Sequence, residues 1–222
     1  ASPVLSRGHT SRAASWDMAT AAMLLLPRIY LGTMTFAWNQ ASHVVDDAVS
    51  AAMVQRFMAS GGTRVDTARI YSEGETEPML GRALKSTSGS SNLLVGTKAH
   101  PSQPEGLSAA GMRAQLQASL DSLGMTQVEE YYLHQPDTEH ALLDSLREAH
   151  EMITEGVVKV VGMSNYHEDE VERAFELCEE HGLTKPTVFQ GLYNPLNRAV
   201  EDKLLPLLKR NSCSFVAYNP LA

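Results

Sequence analysis

The chain has 222 residues, 43% hydrophobic and 20% charged, with 18 Lys+Arg against 26 Asp+Glu and a formal net charge of -8. Such a chain is globular, forms one domain or two small ones, and has enough apolar residues for a core. An acidic surface repels phosphate backbones and excludes general nucleic-acid binding; no apolar run reaches the roughly 18 residues of a membrane span.

The closest apolar run, residues 18–27, is closed by Pro27. Before it lie Ser2, Ser6, Ser11 and Ser15 with Arg7 and Arg12, and no acid precedes Asp17. That is the composition of an organellar transit segment, for a chloroplast or a mitochondrion; an ordinary polar tail on a cytoplasmic protein is the alternative. Residues 1–27 are thus expected to be an extension, and 28–222 a single structured unit. Two cysteines, Cys178 and Cys213, are too few for a disulfide framework and lack metal-ligand spacing, so no metal site is expected.

Seven β-rich runs follow, at residues 29–36, 63–68, 92–99, 128–134, 157–163, 187–192 and 214–218, their starts 27 to 36 residues apart. Amphipathic segments separate them. Val49, Met53 and Phe57 share a helical face before Gly61-Gly62. Ser72-x-x-Glu75 reads as a capping box opening the helix of Leu80 and Leu84. Met112, Leu116, Leu120 and Leu123 form a face that Gly124 ends, and Val171, Phe175 and Cys178 form another that Gly182 ends. The acids Glu168, Asp169, Glu170 and Glu172 suit a helix N-terminal turn.

Strand–helix alternation at this period predicts parallel strands with crossover helices, either a (β/α)₈ barrel or an open doubly wound sheet. The open sheet usually places a glycine-rich nucleotide loop after its first strand. Here that strand ends Leu31-Gly32-Thr33-Met34-Thr35-Phe36, which favours the barrel. In a barrel the functional suspects are polar residues at strand C-terminal ends. Those ends offer Asp66 with Tyr71 just beyond, Lys98, His134, Ser164-Asn165, Gln190 and Tyr218. A tyrosine near a buried lysine and aspartate is a proton-transfer device: the ammonium favours phenolate, and the carboxylate keeps the ammonium charged. A neutral histidine can orient a carbonyl oxygen. The set suits protonation of that oxygen while hydride arrives at its carbon.

The order Asp66-x4-Tyr71, Gly-Thr-Lys98, Leu-His134-Gln-Pro-Asp and Gly-Met-Ser164-Asn165 resembles the aldo-keto reductase superfamily. The strings LGTMTF, VDTARIYSEGETEPMLGRAL and YYLHQPD resemble its branch of aflatoxin-aldehyde and succinic-semialdehyde reductases. The resemblance runs from about Arg28 to Ala222. It implies Tyr71 as general acid, Lys98 depressing the tyrosine pKa, Asp66 holding Lys98, and His134 placing the substrate carbonyl. It further implies Ser164, Asn165 and Gln190 on the nicotinamide carboxamide of NADPH, with Tyr218 stacked on the ring. The substrate would be a small carbonyl compound.

The same resemblance implies an eighth strand and helix after Ala222, with groups for the cofactor's phosphates. Without them the expectation is an incomplete barrel of about seven units, open at strands one and seven, with weakened NADPH binding. A protein partner covering that edge is then expected. The rival expectation is a non-catalytic subunit of a larger organellar complex.

Overall fold

The computed structural model describes residues 28–40 and 42–222; the expected extension over 1–27, with its transit-like composition, lies outside the described residues. Seven strands form β1 (Tyr30–Gly32), β2 (Arg64–Asp66), β3 (Leu94–Ala99), β4 (Val128–Leu133), β5 (Val158–Ser164), β6 (Val188–Leu192) and β7 (Ser214–Tyr218). Each overlaps its expected run, but β1 is far shorter. Thr33 N–H still donates to Asp66 O at 3.0 Å, the last bond of the ladder, and the strand ends there because Phe36 N–H turns back onto Thr33 O at 2.8 Å; the Thr33 hydroxyl adds a second bond to Asp66 O at 2.9 Å.

The strands pair in chain order and all in parallel. Contacts across the sheet interior decide between the two expected architectures. β2 and β6 stand four strands apart, so a flat sheet would hold them roughly 19 Å from each other at the usual strand spacing. Yet Gln190 Nε2 of β6 donates to Asp66 Oδ1 of β2 at 2.8 Å. Tyr30 OH of β1 reaches Glu130 Oε1 of β4 at 2.8 Å. The sheet is therefore rolled into an incomplete (β/α)₈-type barrel, and β1 and β7 are not paired with each other among the described residues.

Among the described residues six α-helices connect the strands: α1 (Asp47–Ala59), α2 (Thr76–Ser86), α3 (Ala109–Leu123), α4 (Leu142–Glu155), α5 (Glu168–His181) and α6 (Leu204–Arg210). Alternation along each strand sends one set of side chains outward against them. Val65 and Val95 pack with Leu80 and Leu84, while Leu133, Val161 and Met163 join the apolar faces of α3, α4 and α5. The α3 face of Met112, Leu116, Leu120 and Leu123 is buried as expected, and so is Val171, Phe175 and Cys178 of α5. These helices end at Gly124 and Gly182, and acids fill the first turn of α5. No helix of the described residues is long and apolar enough to cross a membrane.

Two local expectations are corrected. On α1, Met53 and Phe57 pack against the core as expected, but Val49 is 40% exposed and the fully buried residues are Ser50 and Val54. Ser50 takes the inward place in the first turn, where its hydroxyl donates to Asp47 O at 3.0 Å, so a polar residue can be buried there. Ser72-x-x-Glu75 is not a capping box: α2 begins at Thr76, and no side chain caps it.

The inward face of the barrel is polar. Glu130 accepts from Arg64 Nη1 at 2.7 Å and from the hydroxyls of Tyr30 and Tyr132 at 2.8 Å each. A Cβ at Gly162 would stand 2.4 Å from Tyr132 Cδ1, so only glycine leaves room for that ring. This layer plugs the barrel below the strand C-terminal ends.

Candidate active site

Parallel pairing puts every strand C-terminus on one rim. Asp66 closes β2, Lys98 is next to last in β3, His134 follows β4, Ser164 closes β5 with Asn165 after it, Gln190 lies in β6, and Tyr218 closes β7. Tyr71 comes from the loop between β2 and α2. Asp66, Tyr71, His134, Ser164, Asn165, Gln190 and Tyr218 line one cavity of about 530 Å³, and Lys98 lies fully buried against Asp66. All eight expected residues are thus brought together. A wider groove of about 710 Å³, between α2 and α3, holds none of them.

The backbone that carries Tyr71 is strained. Ser72 (φ 49°) and Glu73 (φ 57°) are left-handed, and Gly74 follows at φ 94°. A left-handed L-residue costs roughly 1–2 kcal/mol, so outside contacts must hold this turn. The hydroxyls of Ser72 and Thr76 both donate to Phe36 O at 2.9 Å, tying the turn to the segment after β1. Tyr71 N–H donates to Ala68 O at 3.2 Å. The side chain then stands edge-on to His134, ring centroids 5.8 Å apart, with Lys98 Nζ 5.1 Å from its own centroid.

Lys98 Nζ donates to Asp66 Oδ1 and to Thr67 O, each at 2.7 Å. An ammonium has three donors, so one is left on the Tyr71 side. Burial works to lower the Lys98 pKa, but the charge of Asp66 and the neighbouring Tyr71 outweigh it and the net direction is up. The ammonium therefore survives desolvation. Burial pushes the Tyr71 phenol up, the Lys98 ammonium pulls it back, and the Asp66 carboxylate opposes that pull. The expected depression of the Tyr71 pKa is corrected: Lys98 contributes it, but desolvation wins and the phenol sits above its ordinary value. His134 is driven down to about 3 by burial first, then by the charges of Lys98 and His100. It is a neutral imidazole at physiological pH, and its Nδ1 is buried without a hydrogen-bond partner among the described residues.

The remaining residues are linked in ways that spacing did not show. Asn165 is left-handed at φ 61°. Its Nδ2 donates to His134 O at 3.0 Å and to Ser164 Oγ at 3.1 Å, and its Oδ1 accepts from Tyr218 OH at 3.0 Å. The bond from Gln190 to Asp66 joins this group to the lysine–aspartate pair, leaving Gln190 Oε1 as the side chain's other polar atom. No sequence signal announced that link, because it spans 124 positions.

The aldo/keto reductase family model matches residues 28–222. The chain belongs to the aldo/keto reductase family. Among similar aldo/keto reductases is the mouse protein named aflatoxin B1 aldehyde reductase member 2, 38% identical over 199 residues, covering 89% of this chain and 53% of the relative. The human aflatoxin B1 aldehyde reductase member 4 is 38% identical over 179 residues, covering 80% and 54%. The oxidoreductase sirO of Leptosphaeria maculans is 37% identical over 161 residues, covering 71% and 46%. The chain spans about half the length of the curated relatives it matches.

Proposed function

We propose that this rim is the reducing site of an NADPH-dependent aldehyde or ketone reductase, with Tyr71 as general acid. The observation that carries the reading is the convergence of Tyr71 on a buried Lys98–Asp66 ion pair and a neutral His134 beside one cavity. Membership of the family, and relatives named as aldehyde reductases, support the same chemistry.

The residues present fit the nicotinamide end of the cofactor. Ser164 Oγ and Gln190 Oε1 supply polar atoms suited to a carboxamide, the Tyr218 ring offers an aromatic face, and all three line the cavity. When bound, the cofactor supplies a hydride to the carbonyl carbon. The chain's own residues handle the oxygen. His134, uncharged, can donate an N–H to it without competing as an acid. Because burial holds the phenol above its ordinary pKa, Tyr71 enters protonated at neutral pH. As negative charge develops on the oxygen, the phenol proton moves to it, and the phenolate left behind faces the Lys98 ammonium. That charge pairing is stronger in the product-like state than in the neutral ground state, which is what lowers a barrier. Asp66 keeps Lys98 charged throughout.

The test is reduction of 4-nitrobenzaldehyde by NADPH, followed through loss of the reduced cofactor's absorbance. Tyr71→Phe is expected to lower kcat by about 10²–10⁴-fold, the usual weight of general acid catalysis, while cofactor affinity is kept. A Tyr71→Phe variant as fast as the parent would overturn the assignment.

A further inference from the structure

We propose that the Arg69–Glu77 pair is the positioning element that sets the Tyr71 phenol against Lys98; this rests on the reading of Tyr71 as proton donor. Glu77, in the first turn of α2, is fully buried. Its Oε2 accepts from Arg69 Nη1 at 2.9 Å and from Ser119 Oγ of α3 at 3.0 Å. Its Oε1 accepts from Thr97 Oγ1 of β3 at 2.5 Å.

Two of those partners flank the reacting groups in sequence. Thr97 precedes Lys98 and points outward, so that Lys98 points into the barrel. Arg69 stands two residues before Tyr71, and its backbone N–H donates to Lys98 O at 3.4 Å. One carboxylate thus binds the strand that bears the ammonium to the loop that bears the phenol.

Burying a carboxylate costs free energy unless it is paired and hydrogen-bonded, and an apolar residue often packs such a site as well. What the charged pair adds is a defined geometry. The strained turn at 72–74 requires one. Arg69 lies over that turn: a Cβ at Gly74 would stand 3.0 Å from Arg69 Nη2. On the other side the Ser72 and Thr76 hydroxyls grip Phe36 O. The turn is held between these contacts, and Tyr71 opens it.

The experiment places a fluorotyrosine at position 71, whose phenol titrates at lower pH than tyrosine, and follows it by fluorine NMR. The parent chain is compared with Glu77→Gln, Arg69→Lys and the double variant Arg69→Met/Glu77→Gln, which leaves no unpaired buried charge. Melting temperatures, kcat and KM for 4-nitrobenzaldehyde are measured alongside. In Glu77→Gln and the double variant the phenol midpoint should rise by about one pH unit as the ammonium's pull weakens. In both, kcat should fall about 10- to 100-fold, the scale of a misplacement near 1 Å, with KM little changed. Arg69→Lys, which keeps the charge, should recover part of both. Folded variants that melt earlier but keep the parent's phenol midpoint and kcat would overturn the proposal and leave the pair a packing feature. If the parent reduces no aldehyde, the functional reading falls, and the fluorotyrosine midpoint alone decides the positioning role: moved in its favour, unmoved against it.

Discussion

His134 makes the barrel acid-sensitive in a way one substitution should isolate. In the unfolded chain a histidine takes up a proton near pH 6.5, whereas in the folded chain burial, then Lys98 and His100, hold His134 down to about 3. The groups that face it are the Lys98 ammonium, the Tyr71 ring at 5.8 Å and the His100 ring at 5.1 Å, and none is an anion. Between those two pH values the unfolded state binds a proton that the native state refuses. Stability is therefore complete above about pH 6.5 and lost as pH falls toward 3, at about 1.4 kcal/mol per pH unit. The loss approaches ~5 kcal/mol over the full range, a large part of the 5–15 kcal/mol typical of a domain. Carboxylates add their own slopes, so the decisive quantity is a difference. Urea unfolding of the parent and of His134→Gln should be followed from pH 6.5 to 4.5. The parent should lose about 2 kcal/mol more than the variant over that interval, because the slope is only half developed at pH 6.5. Parallel stability curves would refute the reasoning, because they would mean that His134 accepts a proton in place.

Other substitutions test other parts of the structure. Lys98→Met should cost about 3–5 kcal/mol in chemical denaturation, since it strands the Asp66 carboxylate beside a desolvated site, and the double variant Lys98→Met/Asp66→Asn should recover much of it. Gly162→Ala should destabilise by about 1–3 kcal/mol through overpacking against Tyr132, with a lower melting temperature and no direct effect on the rim. Gly81→Ala should do at least as much harm, because its Cβ would stand 2.2 Å from the backbone oxygen of Ser122 and α2 would have to move off α3. Arg82→Ala, by contrast, should leave the melting temperature unchanged: its pairing with Asp47 is bidentate but exposed to water on both sides.

The amino-acid order by itself determined the alternation of seven strands with helices, and with it the parallel pairing. Both depend on local periodicity and on connections long enough to carry a helix back across the sheet. The rim residues were legible for the same reason: once strands are parallel, a polar residue at a strand end can only face one side of the barrel. Recognising Asp66, Tyr71, Lys98 and His134 as a set also rested on resemblance, since each alone reads as a cap, a packed ring or a surface group. Only the tertiary structure decided what depends on contacts between distant elements. Gln190 on Asp66 needs the sheet to roll through four strands. The upward pKa of Tyr71 needs the burial that the folded loop imposes, which in sequence looked weaker than the nearby ammonium. Ser72 looked like a helix cap because local spacing is blind to the Phe36 carbonyl, 36 positions away, that takes its hydroxyl instead. Glu77, one acid among several in its segment, gained its place only when α2, α3, β3 and the Tyr71 loop met around it, because burial selects a charge by the partners it can reach.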